Sequence, residues 1–220
     1  LQRNLHGSDG TVLRQLDLLP RGDHGNTGYI GVHTVSGGVG VSVSRDLHTF
    51  ERRGTFAHGG ASAPTLSLLT GGGTQGQWWL LAFETAAVSK GGGIGFALFA
   101  SEAELLNGTA ARVYLPANAP LQPASQRTAV APSRYSSPTV YAALHSQRGG
   151  RETVDVILGV AWTDAANQSH PANAMLSGLS LRAMNDDDQT SAVDYNAFFS
   201  YDGQGCVCVC VCVCVCVCVC

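Results

Sequence analysis

The apolar positions of this chain come in short runs separated by glycine-bearing turns. The clearest stretch is Ser62 to Leu106, where Leu66 to Leu69, Trp78 to Phe83 and Ile94 to Ala100 are apolar. Gly71 to Gly73 and Gly91 to Gly93 stand between these runs. Runs of this length, bounded by glycine, predict strands joined by turns rather than helices. Three in succession predict an antiparallel meander.

Parts of this unit recur. Ser136-Ser137-Pro138-Thr139-Val140 repeats Ser62-Ala63-Pro64-Thr65-Leu66, and Gly38 to Leu47 is similar to the stretch from Gly93 to Leu105. A sheet-sized unit recurring about every 40 to 50 residues is the mark of propeller blades. Evenly spaced strands also suit a β-sandwich or barrel. Gly28 to Val35 and Val39 to Ser44 predict two strands, with Val39, Val41 and Val43 on one face. Val12-Leu13 with Leu16 to Leu19 reads as one short strand or a helical turn, Pro20 to Asn26 as a loop, and Glu51 to Gly60 as a polar connection. Asn107 to Arg134 reads as a proline-bearing linker with a short strand at Val113 to Leu115. Thr139 to Leu144 and Val154 to Trp162 predict strands around a turn at Arg148 to Glu152. Beyond them, Thr163 to Asn173 reads as a polar loop and Met175 to Met184 as a strand or short helix. Asn185 to Gln189 reads as a loop, and Ala197 to Tyr201 as an edge strand.

Composition narrows the picture. All eight cysteines lie in Cys206 to Cys220, a strict alternation with valine. This tail reads as a translated dinucleotide repeat rather than a structural element. Its CVCV spacing lacks the separated pairs of a zinc site, and its one-faced alternation favours aggregation. Residues 1–205 contain no cysteine, so they carry no disulfide framework, and they suit one all-β domain. Because the chain opens on Leu1, its N-terminus is expected to be incomplete or processed. Net charge is −3 with no basic stripe, which argues against nucleic acid. No apolar run approaches the ~18 residues of a membrane span. The sequons at Asn107 and Asn167 suit an extracellular or secretory protein, expected to be a monomer. Gly91 to Gly95 precedes a strand rather than a helix, so no nucleotide cofactor is expected. Asp186 to Asp188 reads as a solvated loop rather than a calcium site, so no metal is expected either.

Several steps together resemble the arabinanase-like (family 43) glycoside hydrolases. Ser44-Arg45-Asp46-Leu47-His48-Thr49-Phe50 resembles the S-x-D-L-x-x-W/F step after a blade strand. Ser62-Ala63-Pro64-Thr65-Leu66 resembles the W-A-P-D-V step, and Trp78 to Phe83 the Y-Y-L-Y-Y strand that follows it. Gly93 to Ala97 is similar to G-I-G-x-A, and Ser136 to Val140 to the later E-G-P/T-P step. The resemblance covers about Gly28 to Trp162. It implies a five-bladed β-propeller, here partial with three to four blades, whose axial funnel takes polysaccharide or oligosaccharide. It also implies three carboxylates, because glycosidic hydrolysis needs an acid and a base flanking the bond. Thr65 stands where the family has its second-blade Asp, and Tyr135-Ser136-Ser137 stands where it has its Glu. For the first-blade Asp, Asp9, Asp17 and Asp23 are all possible counterparts. The expectation is therefore a glycoside hydrolase-like propeller, weak or inactive as an arabinofuranosidase or xylosidase. The alternative is a non-catalytic carbohydrate-binding or protein-interaction propeller.

Within that frame Glu84 and Asp23 are the candidate acid and base, and His58, Thr65 and Trp79 the candidate substrate-binding residues. Each has a plainer reading. Glu84 would be a solvated turn residue, and Asp23 with His24 a surface turn. Trp78, Trp79 and Trp162 would fill cores before stacking on sugars. His33, mid-strand among apolar residues, reads as a hydrogen-bonded histidine of the sheet.

Overall fold

The structure is a computed structural model that describes residues 5–8, 10, 12–21, 28–58, 60–69, 77–85, 93–116, 134–148, 150–163, 168–181, 190–193, 199–201, 207–211 and 215–219. It is all-β apart from one short helix among these residues. In chain order the first elements are β1 (His6–Gly7), β2 (Arg14–Pro20), β3 (Tyr29–Val35), β4 (Gly38–Ser44) and β5 (Thr49–Phe56). Next come β6 (Ser62–Leu68), β7 (Trp79–Thr85), β8 (Gly93–Phe99), α1 (Glu102–Asn107) and β9 (Arg112–Pro116). The rest are β10 (Arg134–Arg148), β11 (Arg151–Thr163), β12 (Ser169–Ser180), β13 (Thr190–Val193), β14 (Phe199–Tyr201), β15 (Val207–Val211) and β16 (Val215–Val219).

These strands form three main sheets. β2 to β5 make an antiparallel meander, and β1 joins its far edge parallel to β5. β6 to β9 make a second meander, and β13 joins it parallel to β9. The third sheet runs β10-β11-β12-β14. The tail strands β15 and β16 pair with each other alone.

Strand periodicity decides how the sheets stack. Successive side chains of β7 point to opposite faces. Trp79, Leu81 and Phe83 enter one core with Ile30, Val32, Val39, Val41 and Phe56 of the first sheet. Leu80 and Ala82 enter a second core with Val154, Val156, Leu158 and Leu176 of the third. The middle sheet is covered on both faces, so every residue of β7 and β8 is buried. A strand buried on both sides reads as a continuous apolar run, which is the pattern of Trp78 to Phe83.

Several expectations change. Glu51 to Gly60 is not a connection: most of it is β5, whose Phe50 and Phe56 are buried while Glu51, Arg52 and Arg53 face solvent. Polar residues on the exposed positions hid the strand. Leu16 to Leu19 belongs to β2, and Val113 to Leu115 to β9. Part of the expected polar loop after Thr163 is β12, which runs on past Met175 to Ser180. The turn between β10 and β11 is shorter than Arg148 to Glu152, both of which are paired strand residues. The loop expected at Asn185 to Gln189 lies outside the described residues.

α1 follows from local chemistry. The Ser101 hydroxyl caps it by accepting from the Glu104 amide at 3.2 Å. The Glu104 carboxylate reaches back to the Ala100 amide at 2.7 Å. This reciprocal arrangement is close to a capping box. Gly108 ends the helix in the left-handed region at φ 70°. The helix lies against the first sheet, where a Cβ on Gly54 would collide with the Leu106 carbonyl.

Candidate functional site

The first strands of the three sheets, β2, β6 and β10, share one irregularity. Pairing with the second strand slips between Arg14 and Asp17, between Ser62 and Thr65, and between Ser136 and Thr139. At each slip one non-glycine residue takes a positive φ: Gln15 at 52°, Ala63 at 43° and Ser137 at 51°. Such residues are uncommon and cost energy, so they persist only where their surroundings hold them. The same bulge at the same place in three sheets marks a repeated device.

The device joins each sheet to the next. In the first sheet Thr34 pairs with Arg14, just before the bulge. Its hydroxyl accepts the Ala63 amide at 3.0 Å and donates to Gln15 Oε1 at 2.6 Å. In the second sheet Glu84 pairs with Ser62, the corresponding place. Its Oε1 accepts the Ser137 amide at 2.7 Å. Two residues past each bulge lies a second staple. Asp17 Oδ2 accepts the Leu66 amide at 2.8 Å, and Thr65 Oγ1 accepts the Val140 amide at 3.5 Å. The Thr65 hydroxyl also donates to Asp17 Oδ2 at 2.9 Å, and Asp17 Oδ1 accepts the Leu18 amide at 2.9 Å. A bulge removes amides from the ladder, and buried amides need partners. These side chains supply them.

The candidate residues of the sequence therefore land in different places. Glu84 is not a solvated turn residue; it is 9% exposed at the end of β7 and bound to the next sheet. Thr65 is buried beside it in the same row of staples. Trp79 is 1% exposed and sits in the core between the first and second sheets, so its indole has no free face for a sugar ring. His58 is half-buried and stacks on Phe56 with centroids 5.4 Å apart. Asp23 and its neighbour His24 lie outside the described residues. Glu84 and Thr65 thus share one rim, while His58 and Trp79 are not part of it.

Gln15 and Thr34 are rim residues without a role in the sequence pattern; Asp17 entered it as one of three possible counterparts of the first-blade Asp, and Ser137 as part of the stretch standing where the family has its Glu. A signal for Asp17 existed. Leu16-Asp17-Leu18 occupies the same three positions as Pro64-Thr65-Leu66 and Pro138-Thr139-Val140. Without the proline, the first copy of the repeat went unread.

Chemically, the rim holds two carboxylates whose oxygens already accept backbone amides. That arrangement suits anchoring rather than proton transfer, which requires an acid or base within reach of a reacting atom. Among the described residues no group of three or more His, Cys, Asp or Glu side chains could hold a metal ion, and no helix is long and apolar enough to cross a membrane.

Comparison with known proteins adds no relative: no family model, no curated protein and no solved structure matches the chain. Fold and site together define an all-β protein of three stacked sheets, joined by bulge-and-staple contacts along their first strands.

Proposed function

We propose that this chain is a propeller-type carbohydrate-binding protein without hydrolytic activity. The observation that carries the reading is Tyr141, a β10 residue that is 58% exposed. It lies over Gly159, where an added Cβ would meet Tyr141 Oη at 2.5 Å. A flat aromatic side chain held over a glycine is a ready platform for the apolar face of a sugar. Repetition of the meander unit supports the propeller part of the reading. Commitment of Asp17 and Glu84 to backbone amides supports the absence of hydrolysis.

The test pairs binding with turnover. Retention by affinity electrophoresis in gels containing arabinan, xylan or cellulose is expected, and Tyr141→Ala is expected to abolish it. Aryl glycosides of arabinofuranose and xylose are expected to stay intact. Turnover that Glu84→Gln and Asp23→Asn both abolish would instead install those two residues as acid and base. Retention unchanged by Tyr141→Ala would remove the platform from the reading.

A further inference from the structure

The face of the first sheet that points away from the second carries a cavity of about 500 Å³. Among the described residues its wall includes Arg14, His33, Ser42 and Arg52. Alternation sets this composition. Ile30, Val32, Val39 and Val41 fill the core on one face, which leaves His33 and Ser42 on the other. Ser42 pairs directly with Arg52 across β4 and β5, and His33 with Gly40 across β3 and β4.

Three features point to a ligand. Ser42 is 1% exposed, and its hydroxyl has no hydrogen-bond partner among the described residues. Buried hydroxyls are normally satisfied, so one lining a cavity marks a place where a partner would sit. Both arginines are exposed, and neither pairs with an acid among the described residues. No Asp or Glu is among the described residues of the wall. Guanidinium groups match planar oxyanions by paired N–H donors. The volume suits a ligand of one or two sugar rings.

We propose that this cavity binds a small ligand bearing an oxyanion, a carboxylate or a phosphate, with Arg14 and Arg52 holding the charge and Ser42 filling its hydrogen bond from the ligand. The site lies on a different sheet face from Tyr141 and stands whether or not the chain binds neutral polysaccharide.

Calorimetric titration of the full chain with glucuronate, glucose 6-phosphate and glucose tests it. Saturable binding of at least one anion is expected, with none of glucose. Binding of glucuronate alone would assign a carboxylate, and of glucose 6-phosphate alone a phosphate. The double change Arg14→Gln with Arg52→Gln should weaken it by more than about tenfold, the scale of a lost charge-assisted contact. Ser42→Ala should weaken it several-fold while leaving the unfolding midpoint unchanged, because that hydroxyl has no partner to lose among the described residues. Failure of both anions to bind, equal binding of glucose, or binding indifferent to both sets of changes would overturn the proposal. Loss of retention on polysaccharide gels would leave it standing.

Discussion

The two junctions between sheets solve one problem with exchanged chemistry. Where the first sheet meets the second, the staple past the bulge is a carboxylate, Asp17, and the flanking one a hydroxyl, Thr34. Where the second meets the third, the staple past the bulge is a hydroxyl, Thr65, and the flanking one a carboxylate, Glu84. Each place needs only an acceptor for a backbone amide. Because either group serves in either place, charge is not what the rim requires. Beneath the staples the junctions differ again. The first is aromatic, with Phe56 set edge-on to Phe83 and Phe99 at 5.3 and 6.0 Å. The second is mainly aliphatic, built on Val154, Val156, Leu158, Val160, Leu176 and Leu179.

The largest expected effect tests whether the two cores carry equal weight. Trp79→Ala in the first should cost about 3 to 5 kcal/mol, and Leu158→Ala in the second about 2 to 5 kcal/mol. Urea unfolding read by tryptophan fluorescence and circular dichroism measures both, with Leu158→Ala giving the cleaner fluorescence signal. A loss under about 1 kcal/mol at either site would mean that this junction is not a packed core.

Next comes the staple itself. Glu84→Ala leaves the Ser137 amide without its acceptor and should cost about 2 to 3 kcal/mol. Glu84→Gln keeps an acceptor oxygen, so its cost should stay under about 1 kcal/mol. If the two variants were equally damaging, the carboxylate charge would matter at that junction, and a hydroxyl could not stand in for it there.

Much of this fold was legible because its signals were local. The apolar runs of β7 and β8 and the valine alternation of β4 announced strands directly. The Ser-x-Pro-Thr repeat at Ser62 and Ser136 marked the two later bulges without revealing that they were bulges. What stayed hidden was non-local. β5 and the start of β12 are polar strands that exist because a neighbour supplies their ladder. Glu84 looked like a solvated turn residue because nothing in its own stretch shows that Ser137 arrives beside it. Trp79 looked available because adjacency with Trp78 does not reveal that both faces of its sheet are covered.

A smaller effect is expected at Thr65. Its hydroxyl donates to Asp17 and accepts from the Val140 amide at the long distance of 3.5 Å. Thr65→Val keeps the shape and removes both bonds, for a loss of about 1 kcal/mol. A double-mutant cycle with Asp17→Asn should show coupling, because the two side chains touch. Additive losses would show that the two junctions act independently, and would break the picture of a continuous row of staples.

The smallest effect compares the exits of the third strands. After β8 the chain leaves through α1, capped by Ser101. After β4 it leaves through a turn with Leu47 at φ 61°, and Ser44 again provides the cap, accepting the Leu47 amide at 2.9 Å. Here Asp46 completes the turn by accepting the Thr49 and His48 amides at 2.9 and 2.8 Å. Those bonds, from Thr49 first and His48 next, hold the Asp46 carboxyl below its ordinary value of 3.8. A carboxyl lowered by folding contributes stability that is fully present above 3.8 and is lost as pH falls through its lower folded value. Asp46→Asn should therefore lower the neutral plateau slightly and flatten the acid limb of the stability profile below that pH. Carboxyl chemical shifts followed through an acid titration check the premise directly. A midpoint for Asp46 at or above 3.8 would show that the first exit, unlike the second, does not rely on its side-chain cap.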